Sequence, residues 1–489
     1  MNAFTRRGAC PALSAPMQTG DGLLVRLNPV AGGLSPNTLI GLCKAALRHG
    51  NGVVEVTARG SLQIRGLTQQ SAPLFAAEID ALGIAVRTGV PVETSRLAGL
   101  DPEEIADPTE LAENIRQGVV TAGLEARLGP KVSVLVDGGG RSGMEEVAAD
   151  VRLTAVRRQG GVFWRLSVAG DAETATPLGV VSEGACDAVL AVLHAIAAKG
   201  IAARARDMNA GELDLTTQVY LSFAPPSVLP DISPARGEIS DFGALGNSAR
   251  QVKAEPTDCV ISPLAGEMSG RTEGGAKERH HLIGVFSLTD SRLVLGISLP
   301  FGHTDAETLT EFARKADSLG IADIRPAPRR AMLLLCPSES AAKAIQAEAV
   351  KLGFVTDASD PRTRIAACPG KPACASGHIA ARDIAAAIAN SDADILDGSF
   401  ELHISGCAKG CAHPGPSALT LVGSENGAGI VVGGTAKGLP DAYTPADGLA
   451  RAFGRVAGLV RNERRDAESS AACLSRLGRE KIAEAFERQ

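Results

Sequence analysis

Two rhythms of apolar residues run along this chain, and both recur after a fixed interval. The stretch Gly22-Leu-Leu-Val-Arg-Leu-Asn-Pro-Val-Ala-Gly32 has the compact apolar run of a buried strand, and Leu39 to Gly50 carries its apolar residues at helical spacing. Shifted by 270 residues, the first stretch falls on Arg292-Leu-Val-Leu-Gly-Ile-Ser-Leu-Pro-Phe-Gly302. The same shift lays Leu39–Gly50 on Leu309–Gly320, and Glu55-Val-Thr-Ala-Arg59 on Arg325-Pro-Ala-Pro-Arg329. Each copy reads strand, loop, helix, strand, which is half of a ferredoxin-like β-α-β unit. Further on, Lys131-Val-Ser-Val-Leu-Val-Asp137 falls on Glu401-Leu-His-Ile-Ser-Gly-Cys407, and Arg141 on Cys411. The pattern predicts an internally duplicated α+β chain. Two ferredoxin-like halves, 1–90 and 282–355, form a pseudo-dimeric sheet, and two α/β domains, 91–224 and 356–489, follow one half each. A cleft between such halves is a natural place for a large ligand. Near the end, Leu474, Leu477, Ile482 and Phe486 give 471–487 the stripe of a helix covering a core face.

Periodicity fails between the copies. Ala224 to His281 is turn-rich, with Pro225-Pro-Ser-Val-Leu-Pro-Asp-Ile-Ser-Pro234 and Gly270-Arg-Thr-Glu-Gly-Gly275, and is read as an inserted flexible loop over 225–281. Within it Ser233-Pro-Ala-Arg-Gly-Glu-Ile239 echoes Ser262-Pro-Leu-Ala-Gly-Glu-Met268, as a translated mobile repeat would. Composition narrows the classes. A net charge of -6 leaves no basic footprint for nucleic acid or an anionic membrane, and aromatic content of 3% supplies no stacking platform for single strands. No apolar run reaches the ~18 residues that span a bilayer, and the first residues carry no apolar signal core, so a reducing cytoplasm is the expected home.

In such a compartment, four cysteines late in the chain stand out. They form Cys368-Pro-Gly-Lys-Pro-Ala-Cys374 and Cys407-Ala-Lys-Gly-Cys411, two short loops with two thiols each. A cubane offers four iron corners that each take one thiolate, so the set suits one [4Fe-4S] cluster. Zinc is the rival, although its knuckles usually space cysteines by two to four residues. A disulfide pair and unrelated thiols remain as alternatives. The other six cysteines, Cys10, Cys43, Cys186, Cys259, Cys336 and Cys473, are isolated and read mostly as small buried hydrophobes. Cys10, in Ala9-Cys10-Pro11, is read as a packing or substrate-proximal residue. One motif is a decoy: Gly138-Gly-Gly-Arg-Ser-Gly143 satisfies the dinucleotide spacing, but too little helix follows it. It reads better as a loop offering backbone N–H groups to carboxylates.

With cluster and duplication together, the chain resembles the sulfite and nitrite reductase family, whose members pair a [4Fe-4S] cluster with a tetrapyrrole between duplicated halves. The resemblance spans nearly everything outside the inserted loop. Its carriers are Gly8-Ala-Cys-Pro-Ala-Leu-Ser-Ala-Pro-Met-Gln-Thr-Gly-Asp-Gly-Leu-Leu-Val-Arg26, Thr57-Ala-Arg-Gly-Ser-Leu-Gln-Ile-Arg-Gly66, Leu97-Ala-Gly-Leu-Asp-Pro102 and Ser405-Gly-Cys-Ala-Lys-Gly-Cys-Ala-His-Pro414. By this likeness the cluster belongs to the second α/β domain. Arg26, Arg59 and Lys131 occupy the positions that bind tetrapyrrole carboxylates, with Arg65 a companion on the face of Arg59 if one strand runs through both. Two departures point to a particular branch. Ser133 stands where the reductases usually carry a second lysine, and Val90-Pro91 replaces an expected Arg-Asn pair. Cations that grip a small oxyanion are therefore missing, which disfavours sirohaem and fits an enzyme holding the tetrapyrrole as substrate.

The resemblance then implies O2-dependent hydroxylation of precorrin-3A at C20 with γ-lactone formation, an early step of aerobic cobalamin synthesis. Two electrons come ultimately from NADH, delivered by a separate reductase, because the chain shows no nicotinamide fold of its own. The branch also implies a mononuclear non-haem iron. Such iron favours two imidazoles and a carboxylate. The histidines nearest the cluster segments are His378, His403 and His413, with His413 the leading catalytic candidate. The alternatives are a sirohaem-dependent sulfite or nitrite reductase and, in another class, a non-catalytic electron-transfer or tetrapyrrole carrier.

Overall fold

The structure, a computed structural model, describes residues 11–30, 32–159, 161–209 and 282–487, with a few two-residue strand pairs between 232 and 272. The inserted loop read at 225–281 and Cys10 therefore lie outside the residues whose side chains are described.

The first half runs β1 (Met17–Thr19), β2 (Gly22–Leu27), α1 (Pro36–His49), β3 (Val53–Val56), β4 (Leu62–Leu67), α2 (Ser71–Ala81). Ser35 starts α1 by accepting the Thr38 N–H, and Pro36 follows it where a missing N–H costs nothing. After the break the same order returns as β10 (Gly284–Ser287), β11 (Leu293–Ser298), α5 (Ala306–Ser318), β13 (Ile324–Ala327), β14 (Ala331–Cys336) and α6 (Glu339–Lys351). Here Asp305 and Ser338 cap α5 and α6. The second half adds a short strand, β12 (His303–Asp305), which leaves its own sheet and pairs with β3. The sheets are thus ordered β1-β2-β4-β3-β12 and β10-β11-β14-β13. Their helix-bearing faces share one core, with Leu39, Leu42 and Ala46 of α1 against Leu309, Phe312 and Ala313 of α5. Cys43 and Cys336 sit in this core as packing residues, and burial pushes the Cys43 thiol up to about 12.

Each half is followed by a mixed sheet of identical plan. In the first, β5 (Val92–Thr94), β6 (Val134–Asp137) and β7 (Ala149–Arg158) are parallel neighbours, and β8 (Gly161–Gly170) and β9 (Thr176–Val181) continue antiparallel. Helices α3 (Thr109–Thr121) and α4 (Ala185–Lys199) cover one face. In the second, β15 (Ile365–Ala367), β16 (Leu402–Ser405) and β17 (Ser417–Ser424) are parallel, and β18 (Gly427–Gly434) and β19 (Ala442–Thr444) antiparallel. Helices α7 (Ala381–Ser391), α8 (Leu449–Glu463) and α9 (Ser470–Glu487) pack beneath it. The expected stripe Leu474, Leu477, Ile482 and Phe486 is buried in that core, with Cys473 beside it. Among the described residues no helix is long and apolar enough to cross a membrane.

The two halves differ on the faces away from their helices. In the second half, Val294, Ala331, Leu333 and Leu335 take up Leu97 and Leu282 as an apolar patch. In the first, the same face is polar, with Arg26 paired to Gln63, and Glu55 set between Gln63 and His303. Sequence had linked Leu97–Pro102 to function by likeness alone. The structure makes Leu97 a plug that fastens the first mixed sheet to the second half.

Candidate functional site

Cys368 and Cys407 stand just beyond the carboxyl ends of the adjacent parallel strands β15 and β16, where open α/β sheets form their crevices. The two cysteine loops interlock. Gly406 donates its N–H to Cys368 Sγ at 3.0 Å, His378 donates its N–H to the Gly406 carbonyl, and Lys409 Nζ reaches Ser376 Oγ at 2.7 Å. Gly406 and Gly377 have no room for a side chain. A Cβ on Gly377 would lie 2.9 Å from the backbone of Gly370 and Lys371, and one on Gly406 3.0 Å from Gly370 Cα. Glycine is thus required for the loops to close on each other.

The four thiols share one electrostatic neighbourhood. Burial raises the Cys368 pKa against the pull of the Gly406 and Gly370 N–H groups, and the charges of Cys374 and Cys407 raise it further. Partial burial likewise raises Cys411, followed by the charges of Cys368, Cys407 and Cys374. Thiolates that raise one another's pKa in this way repel unless cations join them, a charge that a bound metal centre would supply. As they stand, no three His, Cys, Asp or Glu side chains among the described residues converge on a single ion.

The arginines divide. Arg26 on β2 donates to Gln63 Oε1 at 2.8 Å on the polar face of the first half. Arg59 is 39% exposed at the β3–β4 turn, touching the Ala148 carbonyl and standing 3.9 Å from Glu93. Lys131 is exposed in the turn before β6 and makes no ion pair among the described residues. Arg65 departs from expectation. The chain reverses between Arg59 and Arg65 through Gly60, at φ +76°, so no single strand carries both. Arg65 is 4% exposed, holds Asp21 at 2.9 Å and Glu55 at 3.4 Å, and donates to the Ala373 carbonyl inside the first cysteine loop. Its fork is spent on protein partners, and it acts as a brace rather than a ligand for substrate. Despite burial, the Arg65 guanidinium holds Asp21 low, and Arg382 and Arg65 do the same for Glu55.

The Gly138–Gly143 loop also departs. No helix follows it, as expected, but two of its donors are taken by the chain's own carboxylates: Gly139 gives its N–H to Asp137 and Ser142 gives its own to Asp101, while Met144 just beyond the loop also donates to Asp137. Asp137 and Asp101 thus take part of the place read for a ligand's carboxylate. Ser133, in the position of the missing lysine, is 4% exposed, and its hydroxyl has no partner.

Several residues escaped the sequence reading. Arg329 and Arg330 are consecutive non-glycine residues in left-handed backbone, at φ 60° and 62°. Such strain persists where the surroundings over-determine it. Arg329 pairs with Glu146 at 3.0 Å, and Arg330 points its guanidinium at the Ala412 carbonyl in the second cysteine loop, near Glu401 and Cys368. Arg382 of α7 holds Glu55 at 2.6 Å across the junction with the first half. The only hint in the sequence was that Arg329 overlies Arg59 in the repeat. The candidate histidines also separate. His378 supplies only a backbone bond to the second loop. His413 is 28% exposed with Nδ1 3.5 Å from Glu401, while His403 is fully buried and its pKa is pushed down to about 4 by burial and by the His413 and Arg330 charges.

Residues 15–82 match the family model described as the nitrite/sulfite reductase ferredoxin-like half domain. The solved structure of the Mycobacterium tuberculosis NirA protein superposes with a TM-score of 0.68 over 94% of this chain and 84% of that one, at 18% identity. Duplicated halves, paired mixed sheets and that superposition define a protein of the sulfite and nitrite reductase fold. A protein named ferredoxin–nitrite reductase from Synechococcus elongatus is 22% identical over 82% of this chain and 76% of its own length. Precorrin-3B synthase from Sinorhizobium sp is 38% identical over 99% of this chain and 95% of its own. The chain belongs to the precorrin-3B synthase family of enzymes.

Proposed function

We propose that this enzyme hydroxylates precorrin-3A at C20 and closes the ring A acetate onto the ring as a γ-lactone, yielding precorrin-3B. The observation that carries the reading is 38% identity to a precorrin-3B synthase along 99% of the chain. One atom of O2 enters the product, and the other leaves as water with two electrons and two protons. In this reading Cys368, Cys374, Cys407 and Cys411 hold a [4Fe-4S] cluster that passes electrons singly, and a mononuclear iron supplies the oxygen chemistry. The electrons originate in NADH and arrive through a separate reductase.

The substrate is a polyanion with acetate and propionate arms, so it needs fixed cations at its rim. Arg59 and Lys131, both accessible, and Arg26 on the polar face of the first half are assigned that work. The neutral Ser133 supports a tetrapyrrole substrate over a small oxyanion. Replacing Arg59 by Ala should weaken precorrin-3A binding about 10- to 100-fold, the worth of one charge-assisted hydrogen bond, and leave the cluster spectrum unchanged. An unaltered affinity would remove Arg59 from the site.

The direct test is anaerobic purification, metal analysis and a visible spectrum, then precorrin-3A, O2 and a reductant with mass spectrometry of the product. Cluster absorption without haem bands and a product heavier by one oxygen support the reading. Bound sirohaem with sulfite or nitrite reduction would overturn it.

A further inference from the structure

We infer that Arg330 is a fixed cation that eases reduction of the cluster held by the four cysteines; this rests on the [4Fe-4S] reading above and adds to it a residue that sets the electron affinity of the centre. Arg330 lies at the end of the β13–β14 turn and reaches from the second half to the second cysteine loop. Its guanidinium stands 3.4 Å from the carbonyl of Ala412, the neighbour of Cys411. That is longer than the usual limit of about 3.2 Å for a good N–H···O bond. So weak a bond does not account for two consecutive residues in left-handed backbone, Arg329 at φ 60° and Arg330 at φ 62°.

The surroundings nevertheless hold the side chain in place. Ser298 Oγ donates to the Arg330 carbonyl at 3.2 Å. Gly302, at φ +81°, leaves a slot for the stem, since a Cβ there would lie 2.6 Å from Arg330 Cδ and 2.9 Å from Val56 O. Phe301 beside it is also left-handed, at φ 52°, and packs in the core that contains Cys368. Three strained residues and one glycine thus deliver one guanidinium to the cysteine loops.

What they deliver is charge. The other arginines at this junction meet carboxylates at short range: Arg65 meets Asp21 at 2.9 Å, Arg382 meets Glu55 at 2.6 Å, and Arg329 meets Glu146 at 3.0 Å. Arg330 makes no ion pair among the described residues. It is only partly exposed, and burial lowers its pKa, with the Arg382 charge adding to the fall. Glu401, Cys368 and Glu55 pull the other way without restoring it. Glu401, the foremost of these, is 42% exposed and so is screened by water. The guanidinium is left short of negative charge, and Cys368 is among the groups near enough to act on it. A [4Fe-4S] centre on four thiolates is a net anion and becomes more negative when it takes an electron, so a cation fixed nearby favours the reduced state. One electron enters from the donor, no bond is made or broken, and Arg330 keeps its proton throughout.

The test is an anaerobic redox titration of the cluster-loaded full chain with dithionite and mediator dyes, without precorrin-3A, followed by visible absorbance and checked by iron content. Arg330→Gln should lower the electron affinity of the cluster about 10-fold, which is about 59 mV for a one-electron couple, with iron content unchanged. Arg330→Lys keeps the charge and should recover most of the loss. A wild-type potential in cluster-loaded Arg330→Gln would overturn the proposal, as would a potential in Arg330→Lys as low as in Arg330→Gln. Where Arg330→Gln sheds its cluster, Arg330→Lys decides. A cluster retained there near the wild-type potential supports the role of charge, and cluster loss from both variants would overturn it by making Arg330 a structural tie. No substrate enters the measurement, so a chain that makes no precorrin-3B would sink the functional reading and leave this result standing.

Discussion

At the scale of single residues, the polar face of the first half concentrates ionisable groups that its fold holds in fixed protonation states. His303 on β12 is the clearest. Burial, followed by the Arg382 charge, pushes its pKa from 6.5 down to about 4, although Glu55 and the Pro300 carbonyl pull the other way. The folded chain therefore keeps His303 neutral while the unfolded chain protonates it below about pH 6.5. Stability is lost as pH falls from about 6.5 toward 4, by up to about 3 kcal/mol at the lower end. Asp21 and Glu55 have lowered pKa values, so their contribution is present above the ordinary carboxylate values of 3.8 and 4.5 and is lost only below them. The interval between pH 6.5 and 4.5 thus lies above both carboxylates, while Glu104, whose pKa burial raises to about 8, titrates across it with the opposite sign and is common to wild type and variant. His403 has a similarly low pKa, so the informative quantity is a difference between two proteins. His303→Gln should lose less stability than the wild type between pH 7 and pH 5 in urea unfolding, and parallel losses would refute the assignment.

At the scale of elements, the sequence displayed whatever depends on periodicity or spacing. The repeat was legible because strands and helices of both copies keep nearly the same separation, and the two cysteine pairs because each spacing is local. Contacts made across the fold were not legible. Arg59 and Arg65 have the right parity for one face, but parity holds only within a strand, and the chain turns at Gly60. Nothing in the Gly138–Gly143 motif shows that Asp137 and Asp101 fold back to take the Gly139 and Ser142 donors. The isolation of His403 is invisible until its surroundings are built. Another such contact joins the β1–β2 turn to the first cysteine loop. Gly20 donates its N–H to Ala373 O, and a Cβ there would lie 2.7 Å from Ala375 N and Pro372 O. These are backbone atoms of the loop that carries Cys374, so they cannot move aside cheaply. Gly20→Ala should cost about 1–3 kcal/mol by overpacking and lower the iron retained after gel filtration, while the circular dichroism of the fold persists. Full iron retention would show that the turn does not set the loop.

At the scale of the whole molecule, the two halves and the first mixed sheet meet at one knot. The β3–β4 turn of the first half touches the β13–β14 turn of the second, with Arg59 bridged to Pro328 and the Arg329 N–H bonded to Ala58 O at 2.9 Å. Arg96, from the first mixed sheet, donates to the Gly60 carbonyl at 3.1 Å and accepts from Arg325 at 2.8 Å. Gly60 is the tightest point. Its φ of +76° suits glycine, and a Cβ would lie 2.5 Å from Ala327 C and 2.8 Å from Pro328 N. A larger residue thus incurs both backbone strain and a collision with backbone of the other half. Arg59 is next in sequence, so parting the turns moves an assigned substrate contact. The cysteine loops are braced separately, through Gly20 and Arg65, and should feel the change less. Gly60→Val is therefore expected to lower unfolding stability by about 3 kcal/mol or more and to weaken precorrin-3A binding, with the cluster largely retained. Thermal unfolding, an absorbance titration with precorrin-3A and iron analysis on one preparation separate these effects. Wild-type stability and binding in Gly60→Val would mean that the two turns touch without holding the halves together. Cluster loss in step with binding would mean that the knot and the cysteine loops form a single cooperative unit.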